Sequence, residues 1–233
     1  MQITSFDEFH ATFSEYRTDN RWMFRGQSDS SWPVMPKAGR TPYNATNDLA
    51  TFEAWKRRST EFLDSRPTSE WEWLALAQHH GLPTRLLDWT YNPLVAAFFA
   101  CSEQSESDGA IYCLLPEWSI VPENTKPGKH NKVARFKPHV VAARIARQSG
   151  IFTAHPDPKK PLPDALCDHE KYEVHTISAD YKKKMLFELS HYGINRMTLM
   201  GDLDGLSAHM RWTQENRSYW AVSDEFANDV KTK

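Results

Sequence analysis

One arginine, at the end of a short predicted strand, is the strongest candidate for binding a ligand. Arg25 is followed by Gly26 and Gln27, and a guanidinium can hold a phosphate or a carboxylate through two parallel hydrogen bonds. Gly26 lets a ligand approach the backbone, and Gln27 alternates onto the same strand face as Arg25, where its amide could share the ligand. The alternative is a structural arginine that pairs with Asp29 or Asp88.

A second group of polar side chains lies on the predicted strand that ends at Thr90. In an extended chain Asp88 and Thr90 point to one face, and Arg85 points to the other. We therefore predict that Asp88 and Thr90 face one site together, with Arg85 as a further cation beside it. In the alternative reading Asp88 only neutralises Arg85 or Arg25, and Thr90 or Asn92 caps the next helix.

That next helix is predicted from a strong start signal and an apolar run. Asn92 is a good N-cap, Pro93 is favoured at the first helical position, and residues 94–100 are apolar nearly all round, as in a buried helix. Free N–H groups at a helix N-terminus favour an anion. The candidate site should therefore lie beside the start of this helix.

Two further segments offer candidate site residues. His79 lies at the end of a predicted helix, before Gly81, where an imidazole either satisfies the last carbonyls or faces a cleft. Gln148 and Gly150 could complete the cleft from a third segment, although such a glycine is equally typical of a bulge.

The segment from residue 168 to residue 175 contains the residue types that bind metals. Asp168, His169, Glu170, Glu173 and His175 are all potential ligands, but their spacing matches no metal motif. A solvated polar segment is the better interpretation, and we predict no metal.

Composition limits the class of protein. A chain of 233 residues with 40% hydrophobic content can bury one sizeable core, so we predict one domain over residues 1–225 and a flexible tail over residues 226–233. Three scattered cysteines indicate neither a disulfide framework nor a zinc site. No run is long and apolar enough to cross a bilayer, so we expect a cytoplasmic protein with no membrane partner. A net charge of −2 gives no overall attraction to nucleic acid.

The elements that must position these residues alternate between helices and strands. Capping boxes predict helices that start after Ser5 and Ser69, and apolar spacing predicts another helix over about residues 48–63. Strands are predicted over residues 21–25, 84–89, 110–115 and 146–153. This order predicts the α/β (α+β) class, in a single compact domain with a mixed sheet flanked by helices.

Several blocks together resemble the FRG domain family. The chain has the signature Phe24-Arg25-Gly26-Gln27, and the stretch from Leu76 to Ala100 is similar to the family's second block. Blocks at residues 148–153 and 193–206 follow in the same order, so the resemblance covers most of the chain. His80, and Met200 with Gly201, depart from the family's usual residues. The resemblance implies an architecture and motif positions, without a reaction.

The arrangement is also similar to ADP-ribosyltransferases of the Arg–Ser–Glu kind. That resemblance implies that Arg25 holds the phosphates or nicotinamide ribose of NAD, the substrate, and that Thr90 supports the ribose. The block where the family's glutamate is expected carries Gln148, so Glu170 or Glu173 would have to serve, or the protein binds a nucleotide without turning it over. The implied function is an NAD-using transferase or NAD glycohydrolase that acts as a bacterial toxin or phage-defence effector.

The competing hypothesis is a non-enzymatic sensor module that binds nucleic acid or a nucleotide. Arg25, Arg85 and the lysine groups at residues 159–160 and 182–184 would contact phosphates. The near-neutral net charge argues against a large phosphate-binding surface.

Overall fold

The computed structural model describes residues 1–103, 106–138 and 147–217. Within these residues the helices are α1 (Phe6–Ser14), α2 (Asp48–Ser59), α3 (Glu70–His79), α4 (Pro93–Cys101), α5 (Leu162–Ala165), α6 (Ala179–His191), α7 (Arg196–Met200) and α8 (Leu203–Glu215). The predicted tail over residues 226–233 lies outside the described part of the chain. No helix in the described part has the length and apolar character needed to cross a membrane.

The strands of the described residues form one mixed sheet. They are β1 (Gln2–Ile3), β2 (Met23–Gln27), β3 (Leu86–Thr90), β4 (Gly109–Leu115), β5 (Ala134–Phe136), β6 (Gly150–Ala154) and β7 (Lys171–Ile177). Their order across the sheet is β1-β7-β4-β2-β3-β6-β5, and only the edge pair of β1 and β7 is parallel. The predicted class, a mixed sheet flanked by helices, is confirmed.

The caps that the sequence indicates are present at the starts of three helices. The Ser5 hydroxyl accepts from the backbone N–H of Glu8, and Ser69 and Glu72 form a complete capping box. Asn92 accepts from the N–H of Leu94, and Pro93 follows it at the first helical position. Side-chain acceptors of this kind satisfy N–H groups that a helix leaves unpaired.

Helix α4 lies against the middle of the sheet, as its apolar sequence predicts. Val95, Ala96 and Ala97 are almost fully buried, in a cluster that also contains Phe24 of β2 and Phe13 of α1. The closest approach is at Gly26, where an added Cβ would lie 1.9 Å from the carbonyl oxygen of Ala96. Gly26 therefore allows the backbone of α4 to pack directly on β2.

One strand of the sheet was not predicted from the sequence. Strand β7 (Lys171–Ile177) includes Glu173 and His175 of the polar segment and pairs with β4 along seven residues. Its side chains are largely half-buried or exposed, so the strand lacks the apolar alternation by which strands are recognised.

Strands β2 and β3 are neighbours that touch at one point. They pair only at Phe24 and Thr90, whereas β2 pairs with β4, and β3 with β6, along five residues each. Beyond Phe24 and Thr90 the two central strands therefore separate. The gap between them opens towards Gln27 and Leu86.

The core contains a buried histidine whose charge state should control stability. His155 is fully buried, its Nδ1 has no hydrogen-bond partner among the described residues, and burial lowers its pKa to about 3. In the unfolded chain a histidine has a pKa of about 6.5. Between these values the unfolded chain binds the extra proton, so the free energy of unfolding should fall as pH decreases from 6.5 towards 3, by up to about 1.4 kcal/mol per pH unit.

Urea unfolding at a series of pH values measures this slope. In His155→Gln the slope over this range should be smaller than in the wild type. The exposed His10 gives a control variant, His10→Gln, which should keep the wild-type slope. An unchanged slope in His155→Gln would mean that His155 is not the group that titrates.

Candidate functional site

The gap between β2 and β3 forms the floor of a cleft of about 620 Å³. The C-terminal end of α3 borders it on one side, and a 3₁₀ turn at Lys37–Gly39 borders it on another. The described residues that line the cleft include three cationic side chains and one carboxylate, in addition to polar and aromatic groups. The cations are Arg25, Lys37 and Arg40, and the carboxylate is Asp88.

Arg25 reaches across the gap from β2 to β3. Its Nη1 donates to the backbone oxygen of Asp88 at 2.8 Å, and its Nε donates to Oε1 of Gln27 at 3.4 Å. Burial lowers the pKa of Arg25, the nearby Asp88 carboxylate opposes this shift, and the nearby Arg40 adds to it. The side chain is thus fixed at the cleft while its Nη2 has no partner within the described residues.

Asp88 lies beside Arg25, as the strand pattern predicts. Its carboxylate is 4.0 Å from Nη1 of Arg25 and is 66% exposed. The Gln78 amide donates to Oδ2 of Asp88 at 3.0 Å and in turn accepts from the Thr84 hydroxyl. Gln78, which was not predicted as a site residue, therefore orients the only carboxylate among the described residues of the cleft.

Lys37 and Arg40 also line the cleft, and neither was predicted. They come from the turn-rich segment after β2, which has no periodicity that could assign its side chains to a face. The segment is anchored where the N–H of Ala38 donates to the carbonyl of Thr84, just before β3, at 3.2 Å. The only feature of the sequence that could have indicated their role is the spacing of the two cations, Lys37 and Arg40, three residues apart.

Gln27 does not line the cleft and supports Arg25 instead. Its side chain is buried, its amide donates to the carbonyl of Trp32 at 3.1 Å, and its oxygen accepts from Arg25. The expectation for Gly26 also changes, because the space beside its backbone is filled by α4. Gly26 borders the cleft, but packing explains why no side chain is tolerated there.

Thr90 and Gln148 border the cleft, but most of their polar groups are already bonded. The Thr90 hydroxyl donates to the carbonyl of Gln148 at 2.6 Å and accepts from the N–H of Asn92 at 3.0 Å. The Gln148 amide donates to the carbonyl of Leu199 at 3.2 Å. A hydroxyl has one proton to donate, so the ribose-supporting role implied for Thr90 lacks a donor, and Gln148 ties β6 to α7.

The predicted anion site at the start of α4 is also not available. The backbone N–H groups of Leu94, Val95 and Ala96 all donate to Asn92, the first to its side chain and the others to its carbonyl. A capped first turn has no free donors for a ligand.

Arg85 belongs to the core and not to the cleft. Its Nε and Nη2 donate to the two carboxylate oxygens of Asp48 at 2.8 Å each, and its Nη1 donates to the carbonyl of Pro156. Both side chains are nearly buried. The predicted contact of Arg85 with a ligand is thus replaced by a buried ion pair that joins α2 to the chain before β3.

The remaining candidates divide between the cleft and the rest of the molecule. His79 lines the cleft at the end of α3, with its ring edge-to-face against His80 at 5.1 Å. Glu170 and Glu173 do not line it: Glu170 accepts from two backbone N–H groups, and Glu173 accepts from the hydroxyl of Tyr16.

In the lysine group at the start of α6, Lys183 and Lys184 are exposed but Lys182 is not available to a ligand. Lys182 is 1% exposed, and its ammonium donates to the carbonyls of Ser28, Glu103 and Ser107. Its charge therefore joins α6 to the loops beside β2 and β4.

Comparison with known proteins gives one match. No curated protein and no solved structure matches the chain significantly. The family model of the FRG domain matches residues 20–109, a segment that contains Arg25, Lys37, Arg40 and Asp88. Residues 20–109 of the chain are therefore similar to the FRG domain.

Proposed function

We propose that the cleft binds a phosphate-bearing nucleotide, with Arg25 on the phosphates. The observation that supports this proposal is the charge of the described lining, in which three cations face one carboxylate. Arg25 and Arg40 are partly buried and Lys37 is exposed, and partly buried cations that lack enough counter-charge are unfavourable unless an anion joins them. A ligand with phosphate groups supplies that anion.

The shape and the other walls of the cleft agree with a ligand of this size. A volume of about 620 Å³ lies within the range of roughly 300–1,000 Å³ that is usual for small-molecule sites. Phe99, Phe152 and Leu82 add apolar lining that suits a base or a sugar face. Asp88 is exposed and oriented by Gln78, so it suits a ribose hydroxyl, which donates a hydrogen bond to a carboxylate.

Calorimetric titration with NAD, ADP-ribose and nucleoside monophosphates tests this function. The wild type should bind at least one of them, and Arg25→Lys should bind it about tenfold or more weakly, because lysine keeps the charge but loses the planar fork. The control is Arg57→Gln, which removes an exposed arginine of α2 outside the cleft. If no nucleotide binds, or if Arg25→Lys binds like the wild type, the proposal fails.

An NAD-using enzyme is a second candidate, and Asp88 is the observation that favours it. An exposed carboxylate 4.0 Å from the phosphate-binding arginine could stabilise positive charge that develops on a ribose ring. In that case the protein would be a cytoplasmic transferase or glycohydrolase that acts as a toxin or defence effector. NAD consumption that is lost in Asp88→Asn would support this candidate, and binding without consumption would leave a sensor module.

Salt dependence separates a nucleotide site from a nucleic-acid surface. Binding along a phosphate backbone weakens steeply as salt concentration rises, because counterions are released. Binding of one nucleotide in the cleft should respond much less. A steep loss of affinity for RNA, without any nucleotide binding, would favour the nucleic-acid alternative.

A further inference from the structure

We propose that Arg40 and Lys37 form the second half of the anion site, opposite Arg25, and that the ligand carries two linked phosphates. This inference rests on the proposed function and names the class of ligand: a nucleoside diphosphate or a dinucleotide joined by a pyrophosphate.

Arg40 is held in place in the same way as Arg25. Its Nε and Nη2 donate to the carbonyl of Met35 at 3.1 and 2.7 Å, and the preceding turn is bonded to Thr84, two residues before β3. This leaves Nη1 of Arg40, like Nη2 of Arg25, without a partner within the described residues. Two guanidinium groups on separate elements are thus fixed by backbone or side-chain oxygens, and each keeps a free donor group.

Lys37 adds a third cation. It is exposed, its ammonium lies 5.5 Å from the centre of the Tyr43 ring, and the described residues offer it no carboxylate within ion-pair distance. A lysine on a flexible stem can follow a phosphate oxygen, whereas the arginines define fixed positions. Because Lys37 and Arg40 share one turn, the two cations can act together on one phosphate.

The counter-charge in the cleft is too small for these three groups. Asp88 is the only carboxylate of the described lining, and it lies next to Arg25. Burial lowers the pKa of both Arg25 and Arg40, and Asp88 is the acid that opposes the shift at each. One phosphate on Arg25 would leave the Arg40 side unneutralised, while a linked second phosphate satisfies both sides.

The test compares inorganic phosphate with inorganic pyrophosphate, by calorimetry in a buffer free of divalent cations. These probes carry no base, so the result does not depend on which nucleotide the cleft prefers. The wild type should bind pyrophosphate about tenfold or more tightly than phosphate, since a second set of charge-assisted hydrogen bonds is made. Arg40→Gln and Lys37→Gln should each weaken pyrophosphate binding and change phosphate binding clearly less.

Two variants are needed because Arg40 also holds its own loop. Thermal melting shows whether Arg40→Gln is folded, and Lys37→Gln removes a cation that makes no hydrogen bond within the described residues. Equal affinity of the wild type for the two anions, or equal losses for both anions in the variants, would overturn the two-phosphate inference. Nucleotide binding in the earlier titrations would then still stand, so the two failures are distinguishable.

Discussion

Gly26→Ala should lose at least about 3 kcal/mol of folding free energy, and the variant should be largely unfolded if the wild type is only moderately stable. The new Cβ would lie 1.9 Å from the oxygen of Ala96 and 2.6 Å from the backbone nitrogen of Ala100. Both are backbone atoms of α4, so no side-chain rotation can relieve the clash. Either α4 moves away from β2, or the sheet distorts.

Urea unfolding measures this effect, and another glycine provides the control. Gly193 has a φ of 74° and nothing near the position of an added Cβ, so Gly193→Ala should lose only about 1–2 kcal/mol, for the left-handed backbone. If Gly26→Ala is as mild as Gly193→Ala, then α4 does not pack against β2 as described.

Arg85→Met should destabilise the protein by about 3–5 kcal/mol, whereas Arg25→Met should cost about 1 kcal/mol. Without Arg85 the nearly buried carboxylate of Asp48 is left without its cation. Without Arg25, the neighbouring carboxylate of Asp88 is still mostly exposed to water, so little uncompensated charge remains. The same substitution at two arginines thus separates a structural role from a ligand-binding role.

In ligand binding the order should be reversed, with Arg25→Met the more impaired of the two variants. Arg25→Met should reduce nucleotide affinity about 100-fold, since two charge-assisted hydrogen bonds are lost, while folded Arg85→Met protein should bind like the wild type. Chemical denaturation and calorimetry provide the two readouts. If Arg25→Met unfolds as readily as Arg85→Met, Arg25 is a structural residue and the functional argument fails.

The sequence predicts the elements that carry strong local signals. Helix α4 is recognised because Asn92 and Pro93 mark its start and an apolar run follows. Strands β2 and β3 are recognised to within about two residues, since both are short apolar segments that end at polar residues. Strand β7 is missed because its exposed, polar side chains resemble a loop.

A site residue can be predicted where strand alternation assigns its side chain to one face of the sheet. It cannot be predicted where its role depends on a hydrogen-bond or ion-pair partner that is distant in the sequence. Alternation along β3 predicts that Asp88 faces the site. No local rule shows that Arg85 pairs with Asp48, 37 residues earlier, or that the Thr90 hydroxyl bonds to the carbonyl of Gln148, 58 residues later. Such pairings follow from the tertiary arrangement, which also brings Arg40 into the cleft.

A crystal structure of the protein soaked with ADP-ribose tests the central claim most directly. The account predicts phosphate density in the cleft, with oxygens about 2.7–2.9 Å from the guanidinium nitrogens of Arg25 and Arg40, and a ribose hydroxyl near Asp88. Density for the ligand at another surface, or an empty cleft at concentrations that saturate binding in solution, would contradict it.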